Sequence, residues 1–437
     1  MLSISNNVTL PKNKSQFLKT PNAAAAFFDG TNDYIDASTL GSSISKSAGT
    51  ISHWVKITAS ANNEILFSCS DGTSGNDKIQ TVFMTNTSSG QFQAVYKSGG
   101  VANKAVYNFP SADIVSAGWF HLAMTYTISE ANALTIKLYF NGALQNTFSG
   151  TADPIAGGVA FDRVILGKNA NADNSYLQGF MDECAYYTRV LSADEILRIY
   201  NAKGTFNYTS QTDVDATDDT NLLKQWLRFG DGGNDFVQDE TTGIVDMSNN
   251  SLGSEIIANN DFSTNEAEDQ ANLVGGIQFA SWNESPSSGS ATFTSIKNGY
   301  RRTAVTASDQ VWQQRVYQNI SSSLDIGSVY RFTFTIVSSI DASFVVRIQE
   351  LGSTNIQTPR TATTALTANV PVTIDEHFVC TDNTDQYVDI WPSNKLMTEG
   401  QYYELSNLSL TKLQGNPAFV SGALINQDDN PTTNIDG

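Results

Sequence analysis

Asp182 and Glu183 stand side by side in the run GFMDECAYY and are the first candidates for chemistry. Cleavage of a glycosidic bond needs two carboxylates flanking it, roughly 5–9 Å apart. The run alternates as a strand does. Phe180, Asp182, Cys184 and Tyr186 fall on one face, and Met181, Glu183, Ala185 and Tyr187 on the other. Neighbours on a strand point to opposite faces, so the two acids are not expected to face a substrate together. The histidines are His53, His121 and His377. His53 shares a face with Ile51 and Val55 and reads as a core histidine, whereas His121, opposite Phe120 and Leu122, is expected to face solvent. No G-x-S-x-G, H-E-x-x-H, P-loop or G-x-G-x-x-G string occurs,. No catalytic residue is assigned, and the chain reads as a non-enzyme.

The elements that must position any site are strands. Charged residues make up 16% of 437 positions, and Gly, Ser, Thr, Asn and Asp are abundant; such a composition favours many short strands joined by polar turns. GTISHWVKITA, WFHLAMTYT and LTIKLYFNGALQNTF alternate, and Asn141-Gly142 in the last is the two-residue turn favoured in hairpins,. After GFMDECAYYTRVL comes one short helix. Ser192 is its N-cap, Glu195 completes a capping box, Ile196, Ile199 and Tyr200 form its apolar stripe, and Gly204 stops it,.

A second series of strands begins near Glu255, with VYRFTFTIV, ASFVVRIQEL, QYVDIWPS and QYYELSNLSLTKL. The organisation read from this is an arm over 1–22, a domain over 23–204, a linker over 205–254 with a strand-turn block that can pack on the first domain, a domain over 255–412, and a polar tail over 413–437. The fold class is all-β: two antiparallel jelly-roll sandwiches, with one short helix ending the first.

The net charge of −19 repels nucleic acid and anionic membrane surfaces, so neither is expected as a partner. Cys69, Cys184 and Cys380 are odd in number and widely spaced, which fits buried thiols better than disulfides or zinc. The N-terminus lacks the apolar run of a secretory signal, and no stretch approaches a membrane span. The expected setting is therefore synthesis in a host cytoplasm, or export by a route other than Sec.

The blocks FFDGTNDYIDAS, TISHWVKI, GWFHLAMTYT, LTIKLYFNGAL, VILGKN and GFMDECAYYTRVLSADEILRIYNA, in this order over residues 23–204, resemble the laminin-G-like, concanavalin A-like lectin/glucanase family. LLKQWLRFGDGGNDFVQDETTGIVDMSNNS resembles a block found beside such domains, especially in bacteriophage virion proteins. Residues 255–412, through EIIANNDFS, ASWNES, DQVWQQRVYQNI, GSVYRFTFTI and YYELSNLSLTKL, resemble a carbohydrate-binding-module jelly roll of the family 4/9 type. Glu404 stands where that family usually has Asp. The glucanase members carry E-x-D-x-x-E on a concave strand, and no such string occurs here.

The resemblance implies structural Ca2+, which takes hard oxygen ligands. Asp182, near the final strand of the first domain, and Asp261 with Glu404, at the adjoining ends of the second, are the candidate ligands; the competing reading makes all three turn or surface acids. Sugar binding implies aromatic faces beside polar groups. The candidates are Tyr300, Trp312, Tyr387, Asp389 and Trp391. Tyr387, Asp389 and Trp391 share one strand face, while a core role competes for each aromatic, and Trp312 lies where the family often has a core tryptophan.

The functional reading is a non-enzymatic phage virion surface protein, for decoration, fibre or adhesion. Its expected partners are other virion proteins and cell-surface polysaccharide, with oligomerisation on the particle. A polysaccharide hydrolase or lyase with an appended binding module, and a scaffold without glycan affinity, are the alternatives.

Overall fold

Strands form where apolar and aromatic residues recur at every second position. The computed structural model describes residues 24–59, 63–72, 74–85, 90–109, 114–204, 206, 208, 222–229, 236–237, 243–244, 246, 248, 252–258, 260, 281–284, 291–305, 311–320, 324–350, 364–384, 386–421 and 424–427. Two compact units result. One comprises residues 1–31, 40–231 and 426–437, the other residues 32–39 and 232–425.

The strands up to residue 227 are β1 (Ala25–Asp29), β2 (Tyr34–Asp36), β3 (Ala48–Ile57), β4 (Glu64–Ser70), β5 (Lys78–Thr85), β6 (Gly90–Ser98), β7 (Val101–Phe109), β8 (Phe120–Ile128), β9 (Ala133–Phe140), β10 (Ala143–Thr151), β11 (Arg163–Leu166), β12 (Gln178–Tyr187) and β13 (Leu223–Leu227). In the first unit one antiparallel sheet runs β10-β9-β8-β3-β12-β1, with β13 also paired to β12; the other runs β11-β4-β5-β6-β7. Rings from the two sheets meet between them. Phe92 packs on Phe120 at 5.0 Å and on Phe140 at 5.6 Å, and Tyr96 on Tyr126 at 5.9 Å. Asn141 and Gly142 turn β9 into β10 with φ of 50° and 76°, the left-handed pair that a type I′ turn requires.

The other face of the β3 sheet is covered as well. Helix α1 (Ala193–Asn201) starts at Ser192 with the full capping box, and its Tyr200 stacks on Trp54 at 5.8 Å. Trp54, Trp119 and Ala25 form a second apolar cluster there. This corrects one expectation. His121, read as solvent-facing, is wholly buried, because its side of the sheet is roofed by the helix and the chain after it.

In the second unit one sheet takes Ala291–Ile296, Gly299–Ala304, Tyr402–Leu413, Val329–Ser338 and Val372–Val379 in that order. The other takes Asn283–Glu284, Val316–Asn319, Gln386–Pro392, Ala342–Glu350 and Thr364–Leu366. Val316, Val388, Ile390, Phe344 and Ile348 from the second sheet join Tyr330, Phe332, Phe334, Tyr403 and Leu405 from the first in one core. Alternation thus sends one face of the Gln386–Pro392 strand inward and leaves Tyr387, Asp389 and Trp391 on the other. Ala418–Ser421, inside the stretch expected as a polar tail, is a strand paired with β2. The three cysteines are free and buried, as their spacing suggested.

Candidate functional site

The strand Gln386–Pro392 lies between Val316–Asn319 and Ala342–Glu350, and its register sets Asp389 directly between Tyr317 and Arg347. Trp391 sits opposite Val345, and Tyr387 lies between Asn319 and Gln349. The outward face of the sheet therefore gathers aromatic rings, two guanidiniums and one carboxylate. Tyr317, Tyr387 and Trp391 are each half-buried, so part of each ring is open to a ligand and the rest is held in place. Tyr317 and Tyr387 pack edge to face at 5.8 Å.

Asp389 is fully buried and ion-paired with Arg315, whose side chain is only 16% exposed. Both arginines crowd the tryptophan: Arg347 lies 4.8 Å from the Trp391 ring centre and Arg315 5.7 Å, while Arg315 is also 4.9 Å from the Tyr317 ring. Cations over aromatic faces gain from the ring quadrupole, and more so when partly desolvated. Burial holds the Arg347 pKa below its usual range, with Asp389 pulling it up and Arg315 pushing it down. Two donors on this face, Arg347 Nε and Arg315 Nη2, are buried without a hydrogen-bond partner.

Tyr300, another sugar candidate, separates from this face. Tyr300 is fully buried, packed between Phe293 and Tyr403 at 6.0 Å from each. A ring with no exposed face cannot stack on a sugar, so Tyr300 is a core residue and leaves the site. Trp312 falls in the short turn Val311–Gln314, and its side chain lies outside the described residues. Arg315, Tyr317 and Arg347 were not singled out from the sequence, although the alternation of VYQN and VVRIQE places Tyr317 and Arg347 outward.

Two of the three cation candidates, Glu404 and Asp182, are engaged by protein groups. Glu404 takes two hydrogen bonds from Arg301, at 2.7 Å from Nε and 2.5 Å from Nη2. Both bonds fall on Oε1 and offset the carboxylate's charge. Asp261 lies outside the described residues. Asp182 is fully buried, and its Oδ1 accepts the backbone N–H of Glu183 at 2.7 Å. Among the described residues no group of three or more His, Cys, Asp or Glu is placed to hold a metal ion.

Asp182 and Glu183 also depart from simple alternation. The β12–β3 register slips between Asp182 and Ala185, and Glu183 at the bulge has φ 50°. Such a bulge leaves one residue extra and re-aims side chains. Asp182 is paired with Trp54 on the helix-covered face. Glu183, also fully buried, accepts a hydrogen bond from Trp226 Nε1 and pairs with Arg228 at 3.5 Å. The expectation of opposite faces is thus corrected. Both carboxylates turn toward the covered side, where no substrate reaches them.

The first unit also holds a polar pocket of about 320 Å3 lined by Gly30, Asn63, Asn174, Ser175 and Tyr176. Next to Asn63, Glu64 is 2% exposed, and burial pushes its carboxyl up to about 8 against a hydrogen bond from the Gln178 backbone.

No curated protein matches the chain. Among solved structures, the CBM40 of a Ruminococcus gnavus IT-sialidase bound to alpha2,3 sialyllactose is 23% identical, with a TM-score of 0.32, over 40% of this chain and 96% of that one. A CBM4 domain is 17% identical, with a TM-score of 0.28, over 36% of this chain and 99% of that one. The CBM22-1 xylan-binding domain of Paenibacillus barcinonensis Xyn10C is 10% identical, with a TM-score of 0.27, over 38% and 98%. Residues 29–197, which hold most of the first unit's strands and the helix up to Leu197, match the Laminin_G_3 family, described as the Concanavalin A-like lectin/glucanases superfamily.

Proposed function

We propose that this protein is a non-enzymatic glycan-binding protein that takes its ligand on the outward face around Trp391 in the second unit. The observation that carries this reading is the set of half-buried rings, Tyr317, Tyr387 and Trp391, fixed around a buried Asp389–Arg315 pair. Sugar rings bind such surfaces through their C–H faces, and fixed polar groups meet their hydroxyls. The ion pair supplies those polar groups in a locked geometry, because Asp389 orients the Arg315 fork. We further propose that this binding serves attachment at the surface of a phage particle. That setting rests on the resemblance of the block after residue 220 and is independent of the face itself.

The test is direct titration of the purified chain with a panel of polysaccharides, for the wild type, Trp391→Ala and Tyr387→Ala. Each substitution should weaken binding at least tenfold, and release of reducing sugar should be absent. Calcium and chelator should give the same affinity. Unchanged binding in both variants would remove the face from the reading, and sugar release by the wild type would replace it with a hydrolase or lyase.

A further inference from the structure

Around Trp391 the ring surface does not lie bare. Arg347 lies 4.8 Å from its centre and Arg315 5.7 Å, so a ligand approaching this tryptophan meets guanidinium groups. Arg315 is committed to Asp389. Among the described residues no ion pair joins Arg347 to a carboxylate, although Asp389 lies opposite it in register. Arg189, Arg228, Arg301, Arg315 and Arg331 each hold a carboxylate. Arg347 is half-buried, and its Nε is buried without a hydrogen-bond partner. A partly desolvated cation with open donors is costly unless something anionic completes it.

The chain as a whole makes this local excess informative. With 44 acidic against 25 basic residues, its long-range field repels polyanions. Among the described residues a local pair of guanidiniums against one carboxylate reverses that sign where the aromatic rings are. We infer that the face is selective for an acidic glycan, one whose sugar carries a carboxylate or sulfate, and that Arg347 contacts that anion. This inference rests on the reading of the face as a glycan site and adds the chemical class of the glycan. Held 4.8 Å from the Trp391 ring centre, the Arg347 guanidinium offers the planar fork that makes two parallel bonds to a carboxylate or sulfate,. Tyr317 and Tyr387 then take the sugar ring, and Asp389 sets the orientation through Arg315.

The experiment is calorimetric titration of the full chain with three probes of equal length: an oligogalacturonate, a heparin oligosaccharide and an uncharged xylo-oligosaccharide. At least one acidic probe is expected to bind tenfold or more tightly than the neutral one, and more weakly as salt rises. The oligogalacturonate and heparin arms distinguish carboxylate from sulfate. Arg347→Met keeps the stem over the ring and should bring the acidic probes to the level of the neutral one. Arg347→Lys keeps the charge without the fork and should fall between. Equal or tighter binding of the neutral probe, lost in Trp391→Ala, overturns the acidic preference and leaves the glycan site standing. An acidic preference that survives Arg347→Met, with thermal unfolding unchanged, removes Arg347 from the contact. Absence of binding to all three probes overturns the acidic preference, and the glycan site falls with it when the polysaccharide panel also shows no binding.

Discussion

Stability of the first unit should pass through a maximum near pH 6.5, and three buried groups set that shape. Burial pushes the His53 and His121 imidazoles down from 6.5 to about 3, with His53 adding to the effect on His121. From pH 3 to 6.5 the unfolded chain binds protons at both rings that the folded unit excludes, so stability rises with pH across that window. Glu64 acts in the opposite sense. Burial lifts its carboxyl from 4.5 to about 8, so from pH 4.5 to 8 the folded unit keeps a proton the unfolded chain has lost. Its contribution therefore falls as pH rises. One pKa unit corresponds to about 1.4 kcal/mol. Between pH 5 and 6.5 each histidine then contributes a rise of about 2 kcal/mol against one fall of similar size from Glu64. Above pH 6.5 only the fall remains. The unit should lose about 2 kcal/mol at pH 5, and about as much at pH 8, relative to its maximum. Met124 and Met181 report on this unit, since both are fully buried. Their oxidation by peroxide across a urea series, read by mass spectrometry at pH 5, 6.5 and 8, gives the midpoints. Glu64→Gln should abolish the alkaline limb and steepen the acid one. A wild type whose stability climbs steadily from pH 5 to 8, or an alkaline limb that persists in Glu64→Gln, would refute the reasoning.

Three further outcomes follow from the geometry. Asp389→Asn leaves Arg315 facing a neutral partner in a buried setting, which should cost the second unit about 3 kcal/mol; oxidation of the fully buried Met397 in the same urea series reads it. Ser192→Ala removes the acceptor for the Glu195 N–H and should lower stability by about 1 kcal/mol, seen as faster hydrogen exchange in α1. Burial would raise the Glu195 carboxyl, but Arg189 and Ser192 outweigh it and hold it at about 2. Its stabilisation is therefore complete above pH 4.5 and lost as pH falls toward 2, which exchange protection in α1 should follow.

Local sequence was most informative where the structure is itself local. The hairpin at Asn141-Gly142 and the cap at Ser192 follow from two to four adjacent residues, and each determines its own backbone. The failures occur where a second layer intervenes. His121 alternates like an outward residue, and it is outward from the sheet-on-sheet core. Tyr200 and the residues after it then cover that face, and Ser52 bonds the imidazole at 2.9 Å. Period-two reasoning distinguishes the faces of a strand without saying which of them meets water. Glu183 shows another limit. A bulge with positive φ at glutamate has no signature within the strand, because what holds it is Trp226 and Arg228, more than forty positions along the chain.

The same distinction explains how much of the candidate site could be read. Tyr387, Asp389 and Trp391 are two apart on one strand, so their shared face is a property of seven consecutive residues. What that face can bind is decided by its neighbours. Asp389 alone in a buried position would be an unpaired charge and would suggest a cation ligand. With Arg315 paired to it and Arg347 beside it across the sheet, the local balance becomes positive. Arg347 comes from a neighbouring strand some 40 positions away and Arg315 from the position just before another, some 70 away, and only the pairing of the strands sets them beside Trp391. A one-residue slip of Ala342–Glu350 would turn Arg347 into the core and bring Val346 outward, because side chains alternate with period two. Phe344 and Ile348 prevent that slip, since both are fully buried on the inner face of the strand. The proposed selectivity of the site is therefore fixed by hydrophobic residues that never touch a ligand.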